Sequence, residues 1–261
     1  MMKLKLRKFI WVITALLTGC APPNRPSIVP MRTLDERVSC GAEMPERLIV
    51  MLPGLFDTPE DFVKNGFVSA LRERGIKARV LIPDAHFGYY ESRTVDQRIL
   101  EDIIIPARAS GAREIWLVGV SMGGLGSLIF SQQHRPLVQR IFLIGPYPGT
   151  DKVMRKIRDA GGPGPWAQLG YDNDDPDARI YAFWHWLVSR SKGPQSPPFI
   201  SFGTGDSDRY RSDQQILGSL LPVTSRFDAK GGHDWRTWHK IWLQMLDALP
   251  ADAKGSPGAG C

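Results

Sequence analysis

Ser121 lies in Gly119-Val120-Ser121-Met122-Gly123, a G-x-S-x-G pentapeptide whose glycines leave room for a sharp turn around a reactive serine. A serine hydroxyl is a poor nucleophile until a base removes its proton. Five histidines are available, at 86, 134, 185, 233 and 239. His134 falls late in the helical pattern after Ser121, a place suited to a C-terminal dipole contact. His185 and His239 lie inside helical patterns with aromatic neighbours. His86, in Asp84-Ala85-His86-Phe87-Gly88-Tyr89-Tyr90, follows a strand end and suits either a pocket wall or a structural role. His233 is placed differently: it follows Gly231-Gly232 and directly precedes the last helical pattern. It is therefore the candidate base, last in the chain order Ser, acid, His.

A carboxylate is needed to hold the imidazole tautomer and to stabilise its charged form. It should follow the apolar run at 199–202. Gly203-Thr204-Gly205-Asp206 offers Asp206, and Gly205-Asp206-Ser207-Asp208 offers Asp208 at the same spacing one step later. The shorter loop suits a tight turn at the strand end, which favours Asp206 and leaves the other aspartate to cap the helix beyond. The oxyanion of acyl transfer needs two backbone donors. Met122, just after the serine, supplies one. Leu55, in Pro53-Gly54-Leu55-Phe56, supplies the other, because Gly54 makes the turn that exposes the next amide.

These groups need a scaffold that brings strand ends together. Apolar runs at 47–52, 78–82, 115–119, 141–144, 199–202 and 223–227 alternate with helical patterns. One helix is expected from Pro59 to Gly75 with Phe62, Phe67, Val68 and Leu71 inward, and another over about 95–109. Continuous apolar strands separated by helices predict a doubly wound, mostly parallel α/β sheet covered on both faces. More than fifty residues separate the runs at 141–144 and 199–202, with a knot at Gly161-Gly162-Pro163-Gly164-Pro165 and aromatics at 181–186. A plain crossover is shorter. The stretch at about 148–198 reads either as a cap inserted over the carboxyl edge or as a long packing helix with an irregular loop.

The pattern over about 45–250 resembles the α/β-hydrolase superfamily. Gly231-Gly232-His233-Asp234-Trp235-Arg236-Thr237-Trp238 is similar to the G-G-H-D-W-x-x-W ending of bacterial esterases related to esterase D. The resemblance implies ester hydrolysis through an acyl-serine intermediate. Two features depart from it: Pro53-Gly54 replaces the usual His-Gly of the oxyanion loop, and the two leading strands are not evident before residue 47.

The chain has 261 residues, the size of one α/β domain, and a net charge of +6. Lys3, Lys5, Arg7 and Lys8 contribute four of those charges, and residues 1–20 contain no acid. The remainder is nearly balanced and shows no basic stripe interleaved with aromatics, so nucleic acid is not an expected partner. The basic start, the apolar run from Phe9 to Leu17 and the small residues after it have the layout of an export signal over residues 1–19. Leu17-Thr18-Gly19-Cys20 resembles a bacterial lipobox, which implies lipidation of Cys20 and attachment to an envelope membrane. Pro22, Pro23, Pro26 and Pro30 then suggest an extended tether over residues 20–44. Residues 251–261 read as a loose tail. Cys40 and Cys261 remain, and their pairing is left open by sequence.

The histidines and cysteines show no ligand spacing, so neither a metal nor an organic cofactor is expected. The sequence therefore points to a membrane-anchored serine hydrolase of carboxylic esters. An acyltransferase or thioesterase would use the same residues. A binding lipoprotein on a hydrolase fold is the rival from another class. The acyl group, the alcohol and the oligomeric state are not written in the sequence.

Overall fold

The computed structural model describes residues 25–38, 45–194 and 196–254. The expected export signal over residues 1–19, Cys20, Cys40 and Cys261 lie outside the described residues.

Seven strands form one sheet: β1 (Thr33–Arg37), β2 (Arg47–Leu52), β3 (Arg79–Pro83), β4 (Glu114–Val120), β5 (Arg140–Ile144), β6 (Phe199–Gly205) and β7 (Arg226–Ala229). Their order is β1-β3-β2-β4-β5-β6-β7. β2 to β7 pair in parallel, and β1 runs antiparallel to β3 with Thr33 opposite Pro83. Leu48 to Leu52 are fully buried because alternate side chains enter opposite cores. Leu48, Val50 and Leu52 join one core, while Ile49 and Met51 join the other. The expected doubly wound, mostly parallel α/β sheet is observed.

The helices are α1 (Pro59–Lys64), α2 (Phe67–Glu73), α3 (Phe87–Glu91), α4 (Val95–Arg98), α5 (Ile105–Ala109), α6 (Met122–Gln133), α7 (Asp151–Asp159), α8 (Pro163–Trp166), α9 (Ala178–Ser191), α10 (Arg211–Gly218) and α11 (Trp235–Asp247). The single helix expected after Pro59 is broken in two. Gly66 takes a left-handed backbone (φ +80°), which ends one helix and lets Phe67 start the next at a new angle. The run from 95 to 109 is continuous but widens to a π-helix over Ile99–Ile104. Pro106 has no amide to offer the carbonyl four residues back, which accounts for the local slip in register.

Three further expectations change. The strand expected at 223–227 begins as a 3-10 turn at Val223–Ser225, closed by the Ser225 amide on the Pro222 carbonyl (3.0 Å), so β7 starts only at Arg226. Of the tether expected at 20–44, residues 25–38 are built into the domain: Arg25 pairs with Asp84, and Thr33–Arg37 forms the edge strand. The tail is held at its start, where Arg47 donates to the Ala253 carbonyl (2.9 Å). Between β5 and β6, α9 packs along α6 as a crossover helix. α7 and α8 form an excursion in front of it, with the Trp166 and Tyr181 rings 5.7 Å apart.

Candidate active site

The carboxyl ends of the parallel strands deliver the candidate residues to one place. β4 ends at Val120, and Ser121 turns the chain directly into α6 with φ +50° and ψ −116°, a backbone that a serine rarely adopts. Its amide donates to the Ile144 carbonyl (3.1 Å), and its carbonyl accepts from the Tyr147 amide (2.9 Å). A Cβ on Gly123 would lie 1.9 Å from the Leu52 carbonyl oxygen, so only glycine permits α6 to start this close to β2. Surrounding packing thus holds the serine in its strained form.

His233 lies on the loop after β7. Its Nε2 is 2.8 Å from Ser121 Oγ, and its Nδ1 is 2.8 Å from Asp208 Oδ2. The Asp208 side chain has no solvent exposure and that of His233 has 7%. An acceptor-only carboxylate at Nδ1 selects the tautomer with the proton there, which leaves Nε2 free to accept from the serine hydroxyl. Burial opposes the charged form of Asp208. The hydrogen bonds from His233 and the Tyr210 amide (2.8 Å) outweigh it and hold the carboxyl below the ordinary carboxylate range. Trp238 stands edge-on to His233 at 4.9 Å, with Tyr210 at 5.1 Å on another side.

Asp206 was the expected partner of His233, and the structure corrects this. β6 continues to Gly205, three residues past the expected strand end, so the turn begins at Asp206 and reaches the imidazole only with Asp208. Asp206 is exposed and accepts from the Gly231 amide and the Ser207 hydroxyl (both 3.0 Å). The Gly231 amide also holds the Asp206 carboxyl below its usual pKa. Asp206 shapes the loop that carries His233 without touching the ring.

Of the two expected oxyanion donors, Met122 adjoins Ser121 in the chain and Leu55 adjoins Gly54, which packs against the serine. Met122 is the first residue of α6, so its amide has no acceptor within the helix. Leu55 follows Gly54, which packs against Ser121: a Cβ there would be 3.3 Å from Ser121 Cβ. Sequence reading passed over what braces this loop. Asp57 Oδ1 accepts from Trp235 Nε1 (2.9 Å), and burial raises the Asp57 carboxyl above its usual range despite that bond. Gln214, fully buried, was also missed; its amide donates to the Pro146 carbonyl (3.2 Å), and its side chain bonds Thr204 and helps to hold the Asp208 charge. Neither residue belongs to a motif, and Gln214 lies among the polar residues Ser212, Asp213 and Gln215, so the sequence carries no signal for them.

Beside the serine, Tyr90, Met122, Leu125, Ile129, Tyr147 and Ile180 help to line a cavity of about 280 Å³. Burial pushes the Tyr147 hydroxyl up to about 12. The other four histidines make local hydrogen-bond or ring contacts. His86 accepts from the Gly88 amide (3.2 Å) at the start of α3, His134 packs on Phe130 (4.7 Å), His185 lies between Trp166 and Tyr171, and His239 meets Phe67. Among the described residues, no three His, Cys, Asp or Glu side chains converge as a metal site would require.

The chain belongs to the alpha/beta hydrolase fold family, whose sequence model matches residues 47–244. Its fold is similar to that of the S-formylglutathione hydrolase FrmB of Staphylococcus aureus, at 16% identity over 78% of this chain and 81% of that one, with a TM-score of 0.57. It is also similar to FphF, a fluorophosphonate-binding serine hydrolase of Staphylococcus aureus, at 14% identity over 85% and 100% of the two chains, TM-score 0.55. A ferulic acid esterase matches at 14% identity over 82% and 96%, TM-score 0.52. No protein with a curated description matches the chain.

Proposed function

We propose that this protein hydrolyses carboxylic esters through an acyl-serine intermediate, using Ser121, His233 and Asp208, on a lipoprotein anchored to an envelope membrane through Cys20. The observation that carries the chemistry is the unbroken chain Asp208–His233–Ser121, with 2.8 Å at each contact. Ser121 Oγ attacks the acyl carbon as its proton passes to His233 Nε2. The negative charge that develops on the carbonyl oxygen is met by the Met122 and Leu55 amides. Asp208 stabilises the imidazolium formed in this step without taking its proton. Collapse of the adduct breaks the ester C–O bond, and the alcohol leaves with the proton from His233. Water then gives a proton to His233 and attacks the acyl carbon. The second adduct releases the acid and restores the serine hydroxyl.

Membership of a hydrolase-fold family and the strained backbone at Ser121 support this reading. The anchor rests on the basic start, the apolar run and Leu17-Thr18-Gly19-Cys20. A fluorophosphonate probe tests the chemistry. Labelling at Ser121, lost in Ser121→Ala together with p-nitrophenyl ester hydrolysis, is expected. An unlabelled wild type, or equal turnover by both proteins, would overturn the reading.

A further inference from the structure

β1 enters the sheet in the direction opposite to all the other strands, and this fixes where the amino-terminal segment meets the domain. Thr33 pairs with Pro83, the last residue of β3, so the chain preceding β1 lies at the carboxyl edge of the sheet, the edge that carries Ser121. Residues 25–31 are pinned there. Arg25 forms two hydrogen bonds to Asp84 (2.8 and 3.0 Å), and its carbonyl oxygen lies so near Gly88 that a Cβ there would approach to 2.0 Å. The Ile28 backbone both donates to and accepts from Tyr89 Oη (3.2 and 2.9 Å). Tyr89 is on α3, and the next residue, Tyr90, lines the cavity beside the serine. One short helix therefore separates the amino-terminal segment from the candidate substrate cavity.

The chain length between Cys20 and Arg25 then limits orientation. Five residues span at most about 18 Å when fully extended. A compact domain of this size is about 45 Å across. If Cys20 carries acyl chains in a bilayer, the side bearing Arg25 cannot turn away from that bilayer. The same edge exposes apolar side chains that the sheet does not use. Ile28 is 56% exposed, Val29 70% and Phe56 63%, the last beside Leu55 in the loop after β2. Arg32 bonds Glu60 at the start of α1, which joins the amino-terminal segment to the elements that follow that loop. Adjacent strands are about 4.8 Å apart, and β3 and β4 are separated only by β2, so Asp84 and Ser121 lie on strand ends about 10 Å apart.

We propose that the carboxyl edge of the sheet, with Ile28, Val29 and Phe56 on it, is the face that lies on a lipid bilayer, so that Ser121 receives esters carried by that bilayer. The inference rests on the proposed lipidation of Cys20. It narrows the substrate class to lipid-borne esters that enter from the membrane side, because the residues lining the cavity and the attachment point lie at the same carboxyl edge of the sheet. Short apolar side chains dipping into the headgroup layer suit shallow interfacial contact.

The test uses the full chain, processed and reconstituted in vesicles of phosphatidylethanolamine and phosphatidylglycerol. Mass spectrometry of the amino-terminal peptide first reports on Cys20. An unmodified Cys20 overturns both the anchor and this orientation, while hydrolysis of soluble esters would stand. With Cys20 lipidated, spin labels are placed one at a time at Phe56→Cys, Val29→Cys or Val223→Cys, each in a Cys40→Ser, Cys261→Ser background. Val223 is 77% exposed and directly precedes β7, at the opposite edge of the sheet. Labels at 29 and 56 are expected to lose access to an aqueous nickel chelate several-fold and to gain access to oxygen on reconstitution, while the label at 223 keeps its aqueous access. Equal aqueous access at all three positions, or shielding at 223 alone, would overturn the orientation and leave the esterase reading intact. Val29 gives a reporter away from the Leu55 loop, so a Phe56 variant that disturbs folding does not remove the test.

Discussion

Trp235 Nε1 donates to Asp57 Oδ1 at 2.9 Å, a bond that joins the loop after β2 to the first residue of α11, two residues past His233. Trp235 is fixed in turn by edge contacts with Phe62, Phe67 and Trp238, at 5.1 to 5.4 Å. Asp57 therefore ties the loop that carries Gly54 and Leu55 to the start of α11, next to His233. Asp57→Ala should lower kcat about tenfold, the worth of one positioned hydrogen bond, with KM within about twofold. Asp57→Asn, which keeps an acceptor for Trp235, should restore most of it. Equal losses in both variants, or a change confined to KM, would argue against a positioning role.

Asp208 and Asp206 separate cleanly by mutation. Asp208→Asn removes the buried carboxylate that sets the His233 tautomer, and kcat should fall by about three to four orders of magnitude. Asp206→Asn leaves the ring untouched, and its kcat should stay within about threefold of wild type. Parallel p-nitrophenyl ester kinetics on the two purified variants decide the assignment. A larger loss in the Asp206 variant would reverse it.

The depressed Asp208 carboxyl also predicts a pH dependence of stability. Its folded pKa is below the unfolded value of about 3.9, so between the two the unfolded chain binds more protons. The stability that Asp208 contributes is present above about pH 4 and is lost as pH falls through the lower folded value. Urea unfolding between about pH 2.5 and 6 should show this slope in wild type, with a shallower one in Asp208→Asn.

Tyr90 Oη is buried against α6, where a Cβ on Gly126 would lie 2.5 Å from it, and it has no hydrogen-bond partner among the described residues. Burial raises its pKa, so the hydroxyl stays protonated. Tyr90→Phe should be neutral or stabilising by up to about 1 kcal/mol in chemical denaturation. Gly126→Ala should cost about 1–3 kcal/mol through overpacking, and less in the Tyr90→Phe background. Strict additivity of the two substitutions would show that these atoms do not meet.

The cavity of about 280 Å³ beside Met122 should set acyl length. Ile180→Ala opens its wall from the α9 side and should move the preferred p-nitrophenyl ester to a longer chain. Each accommodated methylene should change relative kcat/KM by about tenfold. An unchanged chain-length profile would place the acyl group elsewhere.

The sequence by itself determined the sheet and the strand-to-helix turn at Ser121. Apolar runs long enough to be buried on both faces have few alternatives to parallel strands, and a serine between glycines at a strand-to-helix turn has little choice of position. Ser121 was legible because it ends an apolar strand between two glycines, and His233 because it follows Gly231-Gly232 just before the last helix. Tertiary structure decided what depends on where a strand stops. Three extra residues of β6 moved the imidazole partner from Asp206 to Asp208, and Gly66 divided a helix whose apolar spacing read as one. Pairing across the sheet turned part of an expected tether into β1, because a short edge strand carries little signal until a neighbour satisfies its backbone. Asp57, Trp235 and Gln214 acquired roles only through partners distant in sequence, since a side-chain hydrogen bond across folded loops leaves no periodicity along the chain.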